Sequence, residues 1–232
     1  MSVPSHLSKS LDAFPHEVIR EAGYHAAVFG QKTYNGVAIL SKTEPLNIQR
    51  GMPRFEDSQA RLLTAEVNGV WIISAYIPNG DTVGSEKYRY KLQWFHQLRE
   101  FLAARFKPTD RLVLCGDFNV ARDEKDVARP DAWAGTVLFH QEVRDAMERL
   151  LAWGLVDVFR QHHPDGGLYS WWDYRMLGFP KNNGLRIDYI LATESVAKCC
   201  TVAEIDREER KGEKPSDHAP VMVVMEHGAN DQ

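Results

Sequence analysis

Residues 61–77 read RLLTAEV-NG-VWIISAYI. Two runs of apolar and β-branched residues flank Asn68-Gly69, the strongest short-range hairpin signal, because a type I′ turn needs positive φ at both central positions. The flanks therefore read as antiparallel strands over Arg61–Val67 and Val70–Ile77. Similar runs bounded by Gly, Pro, Asn or Asp recur at Gly36–Lys42 and Arg111–Cys115, with later ones at Leu185–Ala192, Val202–Ile205 and Pro220–Met225. Between them, Leu92, Phe95, Leu98, Leu102 and Phe106 form one apolar stripe of a helix over Glu86–Phe106. Val143, Met147, Leu150 and Leu151 do the same over His140–Trp153, and Gly154 offers the stop. Hairpins mixed with segregated helices predict an α+β sandwich of two sheets flanked by helices, with the chemistry on loops at strand ends.

The 232 residues suit one substantial domain, and 44% hydrophobic with 26% charged residues is ordinary for a soluble protein. A balance of 28 Lys+Arg against 32 Asp+Glu excludes a generic polycation that holds nucleic acid by charge alone. Cys115, Cys199 and Cys200 are too few and too poorly spaced for a disulfide framework or a zinc site. No apolar run approaches a membrane span, and Met1–Phe14 lacks a signal-peptide core. The reading is a soluble cytoplasmic protein with reduced thiols.

Strand Arg111–Cys115 runs directly into Gly116-Asp117-Phe118-Asn119. There Asp117 can hold or activate a water, and Asn119 can orient that water or a phosphate oxygen. A turn closed by Asx hydrogen bonds is the competing reading. In Ser216-Asp217-His218-Ala219-Pro220, Asp217 can ligate a hard cation while His218 faces a reacting phosphate. A histidine that caps a strand is the alternative; a serine triad lacks its G-x-S-x-G elbow. In Gly184-Leu185-Arg186-Ile187-Asp188-Tyr189 a carboxylate interrupts an apolar strand, a costly placement unless it is paired. An imidazole partner would fix the tautomer, and His218 is the candidate, with Arg186 the alternative partner. Tyr76, where Ser74–Tyr76 runs into Pro78-Asn79-Gly80, can give its hydroxyl to a phosphate or a departing oxygen, or simply pack.

This inventory suits Mg²⁺-assisted hydrolysis of a phosphodiester. Between Gly84 and Arg111 lie seven basic and three acidic residues. Of these, Lys87, Arg89 and Lys91 follow the Tyr76 loop and are the expected phosphate contacts. A solvated helix face is the alternative.

At these residues the chain closely resembles the exonuclease III family of DNA-repair nucleases, within the wider endonuclease/exonuclease/phosphatase superfamily. The matching stretches are YHAAVFGQKTYNGVAILSK (24–42), SAYIPNG (74–80), CGDFNVA (115–121), LLAWGLVDVFR (150–160), YSWWDYR (169–175), NNGLRIDYILA (182–192) and EKPSDHAPV (213–221). The resemblance implies a four-layered α/β sandwich of two packed mixed β-sheets. It also implies cleavage 5′ to abasic sites in duplex DNA and removal of nucleotides from 3′ ends by a monomer using Mg²⁺ or Mn²⁺. By motif, Asp117 would activate the attacking water with Asn119 orienting it. His218 backed by Asp188 would contact the scissile phosphate, and Tyr76 would stabilise the transition state or the leaving group. Asp217, with Asp117 and Asn119, would hold the metal. Trp171 and Leu185 would wall the pocket for the extrahelical sugar, and Asn79 would join the substrate contacts.

The family opens with an apolar strand carrying a metal-proximal Asn, then a strand ending in a Gln-Glu pair whose Glu is the principal metal ligand. This chain opens MSVPSHLSKSL and joins the pattern at Asp12-Ala13-Phe14-Pro15. Glu17, Glu21 and Glu44 do not stand in a Gln-Glu-Thr context. The expected organisation is a non-family segment at 1–11, a domain at 12–226 incomplete at its N-terminus, and a tail at 227–232. Two other readings stay open: a truncated, catalytically feeble DNA-binding fragment, and a phosphodiesterase on a non-DNA phosphate ester.

Overall fold

In a computed structural model, which describes residues 14–226, Asn68 and Gly69 take left-handed backbone at φ 51° and 72°, and Val67 pairs with Val70. The turn joins β4 (Leu62–Val67) to β5 (Val70–Tyr76). Next to β5 lies β6 (Leu112–Asp117) in parallel, and next to β6 lies β8 (Asp188–Thr193), antiparallel. With β3 (Leu46–Arg50) and β7 (Leu155–Asp157) at the edges, the six-stranded mixed sheet has the order β3-β4-β5-β6-β8-β7. The expected segments 1–11 and 227–232 lie outside the described residues.

Central strands alternate between two cores, as a two-residue period requires. Leu112 and Leu114 of β6, Ile73 of β5 and Leu191 of β8 meet α2 (Glu86–Arg105) and α4 (Gln141–Leu151) on one face. On the other face Val113, Cys115, Ile72 and Ile190 meet two hairpins. These are β1 (His25–Gly30) with β2 (Gly36–Ser41), and β9 (Cys200–Ile205) with β10 (Val221–Met225). Outside the first hairpin, α1 (His16–Glu21) and Phe14 pack against Val28 and Ala38. The layers run α/β/β/α, and among the described residues the second β layer consists of two separate hairpins. Short helices α3 (Pro130–Trp133), α5 (Val158–His162) and α6 (Glu194–Ala197) lie in the connections. None of the described helices is long and apolar enough to cross a membrane.

Two expected elements are shifted. The helix stripe is wider than read: Tyr88, Lys91, Trp94 and Phe101 of α2 are buried beside Phe95, Leu98 and Leu102, while Leu92 is only half-buried. The strand expected at Leu185–Ala192 begins at Asp188, because the preceding backbone turns aside, Arg186 N–H donating to Asp126 O. Arg186 is 1% exposed, and its guanidinium donates to Asp126 (2.6 Å) and Asp157 (2.7 Å). Arg160 completes that buried network at Asp126. It fixes the segment that leads into Asp188.

Candidate active site

Three strand ends bring the first side chains together. Tyr76 pairs with Asp117 at the end of the β5–β6 ladder, and Asp117 pairs with Asp188 at the end of the β6–β8 ladder. Residues opposite one another in register share a face, so all three project toward the hairpin layer from one row. Gly116 permits the close β5–β6 approach: its φ is 140°, and a Cβ there would lie 1.9 Å from the Ala75 carbonyl oxygen.

His218 arrives from the loop before β10. Its Nδ1 is 2.8 Å from Asp188 Oδ2, and its Nε2 is 4.0 Å from Asp117 Oδ2. Ser170, fully buried, donates its hydroxyl to the same Asp188 oxygen at 2.7 Å and accepts from the backbone N–H groups of Ile187 and Asp188. That serine was missed in the sequence, although it lies inside the quoted YSWWDYR stretch. Burial works against a charged His218, but the charge and hydrogen bond of Asp188, with Asp117 and Asp217 behind, raise its pKa to about 9. Burial pushes the Asp117 carboxyl well above the ordinary range, and His218 pulls it partly back. Burial and Asp117 raise the Tyr76 phenol, with Arg61 opposing, so it stays a protonated donor.

Asn119 takes a left-handed φ of 50°. Its backbone N–H donates to Asp117 Oδ1 (2.8 Å), and its amide donates to Asp117 Oδ2 and to Ile77 O, both at 3.0 Å. Asn79 donates to Asn119 Oδ1 at 2.9 Å. The Asx turn weighed as an alternative is thus present, and it serves to fix Asp117. Arg61, also missed, donates to the Tyr76 carbonyl at 3.1 Å and stacks 4.8 Å over its ring.

Asp217 accepts from the Trp171 indole N–H at 2.9 Å, and Trp133 meets Trp171 edge-on at 5.9 Å. Leu185 corrects an expectation. It is fully buried among Val127, Leu138 and Phe139, so it supports Trp171 from beneath and walls no open pocket. Lys91 is a second correction. It is fully buried, and its Nζ donates to the carbonyls of Asn79 (2.9 Å), Asn119 (2.6 Å) and Val137 (2.7 Å). Such an ammonium has no donor left for a phosphate. Lys87 and Arg89 are exposed at the same end of α2, held by Asp81 and by the Gly84 carbonyl.

Among the described residues no three His, Cys, Asp or Glu side chains form a ready-made metal cage. A Mg²⁺ site needs only one or two carboxylates and keeps several waters. Asp117 and Asp217 both lie close enough to His218 to raise its pKa.

The profile of the Endonuclease/Exonuclease/phosphatase family matches residues 4–218. Exodeoxyribonuclease III of Haemophilus influenzae is 36% identical over 223 residues, covering 90% of this chain and 84% of that protein. An AP endonuclease structure from Archaeoglobus fulgidus superposes with a TM-score of 0.92 at 38% identity, over 95% of this chain and 86% of that one. The structure of the 3′ phosphatase NExo from Neisseria, bound to product DNA hairpin, gives 0.93 at 39% identity over 97% and 88%. The chain belongs to the endonuclease/exonuclease/phosphatase family. Within it the chain sits with the exonuclease III and AP endonuclease group: it is a phosphodiesterase, a DNA-repair nuclease.

Proposed function

We propose that this nuclease uses Mg²⁺ or Mn²⁺ to cut the phosphodiester 5′ to abasic sites in duplex DNA and to remove nucleotides from 3′ ends. The observation that carries the reading is the convergence of Tyr76, Asp117 and Asp188 at registered strand ends around His218. Asp117 accepts a proton from the attacking water. Asn119 orients that water. His218, held by Asp188 through Nδ1, presents its Nε2–H to a phosphate oxygen, where a preorganised donor stabilises developing charge. Tyr76 gives its hydroxyl to the same group or to the departing oxygen.

Asp117, Asn119 and Asp217 are the residues that would hold the cation, which when bound polarises the phosphoryl group and offsets charge on the leaving oxygen. Trp171, buttressed by Trp133, offers an apolar wall to a flipped abasic sugar, which has no base to unstack. Asn79, Lys87 and Arg89 flank the phosphate path. The names of the related proteins support DNA as substrate, and the Neisseria neighbour holds a DNA product. A panel of abasic duplex, recessed 3′ ends and inositol phosphates, each with Mg²⁺ or Mn²⁺, tests the reading. Abasic duplex should give the highest kcat/KM; faster turnover of the inositol phosphates would overturn it.

A further inference from the structure

We infer that Lys91 is a positioning residue of this site: its buried ammonium clamps the loops carrying Asn79 and Asn119 against Asp117. The catalytic consequence rests on the nuclease reading above; the clamp itself does not. An ammonium has three donors and no acceptor, and here each donor meets a carbonyl from a different segment. Asn79 follows β5, Asn119 follows β6, and Val137 precedes α4. Burial lowers the Lys91 pKa to about 7, and the three carbonyls, one for each donor, are what the charged form needs to be held there. Its stem is equally constrained, since a Cβ on Gly80 would come 2.9 Å from Lys91 Cδ.

The clamp acts where the site needs it. Asn119 holds an unfavourable left-handed conformation, and its carbonyl is tied to Lys91 while its N–H and side-chain amide point at Asp117. Lys91 also holds the Asn79 carbonyl while the Asn79 amide reaches Asn119. Removing the ammonium frees three carbonyls and lets both asparagines drift. A displacement of about 1 Å at a reacting group can cost on the order of 100-fold in rate.

The test uses Lys91→Met, with Lys91→Gln carrying the comparison if the Met variant melts below assay temperature. The expected result is a kcat lowered roughly 10- to 100-fold with KM within about twofold, because oriented groups and not DNA contacts are disturbed. Lys87→Ala, as contrast, should raise KM. In an Asn119→Ala background the Lys91 substitution should cost less than about threefold, since residues acting through one another are not additive. A raised KM with unchanged kcat, a kcat within threefold of wild type, or full additivity with Asn119→Ala would each overturn the clamp. The side-chain amide resonances of Asn79 and Asn119 in the DNA-free protein separate the two claims. Should they move in the variant while the wild type cuts no DNA, the clamp stands and the nuclease reading falls. Should they stay in place, the clamp falls whatever the wild type does.

Discussion

His218 joins two carboxylates that make different demands on it: Asp188 fixes its ring, and Asp117 lies 4.0 Å from its other nitrogen. His218→Ala and Asp117→Asn should each lower cleavage of abasic duplex on the order of 10²–10⁴-fold, with melting temperatures that show both variants folded. The same pair gives the metal-free protein a pH signature. The folded-state pKa of His218 is about 9 against an ordinary 6.5, so its stabilisation is complete below pH 6.5 and is lost as pH rises through 9. The raised Asp117 carboxyl acts in the same direction, because the folded state holds its proton longer than the unfolded chain does. Burial lowers the Lys91 pKa to about 7, which opposes that loss over the same interval, so the prediction is a difference. Relative to His218→Gln, chelated wild type should lose about 2–3 kcal/mol of stability between pH 6.5 and 9, read from the two melting temperatures. Trp171→Ala belongs to this scale too. It should lower kcat/KM on abasic duplex more than on intact 3′ ends, and equal losses would make Trp171 a packing aromatic only.

The elements set which of these residues could be read from the sequence. Asn68-Gly69 has one economical conformation, and the hairpin it forms anchors the sheet. Asp188 was legible as a carboxylate in need of a partner because an apolar strand surrounds it, and His218 is at 2.8 Å. Lys91 was misread because a lysine within a basic run looks solvated, and the three carbonyls that bury it come from segments up to 46 residues away. Strands β1, β3 and β7 escaped for a related reason: HAAVFG, LNIQR and LVD are short or mixed, and their strand state comes from pairing partners. Two variants test the elements. Gly116→Ala would place a Cβ 1.9 Å from the Ala75 carbonyl; it should cost at least about 4 kcal/mol, at the severe end for a point substitution. Arg186→Met leaves Asp157 buried without its cation and Asp126 with Arg160 alone, and should cost about 3–5 kcal/mol in denaturant unfolding.

At the scale of the molecule, two helices cover one face of the sheet and two hairpins the other, and the site opens where the ends of β5, β6 and β8 meet the loop before β10. The basic residues between Gly84 and Arg111 are spread along the helix that carries most of them. Arg105 lies sixteen residues beyond Arg89 on α2, about 24 Å at 1.5 Å per residue, and stacks on Trp71. On the proposed reading, phosphate contact concentrates at the N-terminal end of α2, beside Asn79, and binding there should depend on few ions. The most direct measurement is single-turnover incision of a duplex with one central abasic site, with Mg²⁺ or Mn²⁺ and with chelator, comparing wild type and His218→Ala. The account predicts one product cut 5′ to the abasic site, dependent on the cation and lowered at least about 100-fold in the variant. Incision that persists unchanged in His218→Ala, or no incision above the chelated control with either cation, would contradict it.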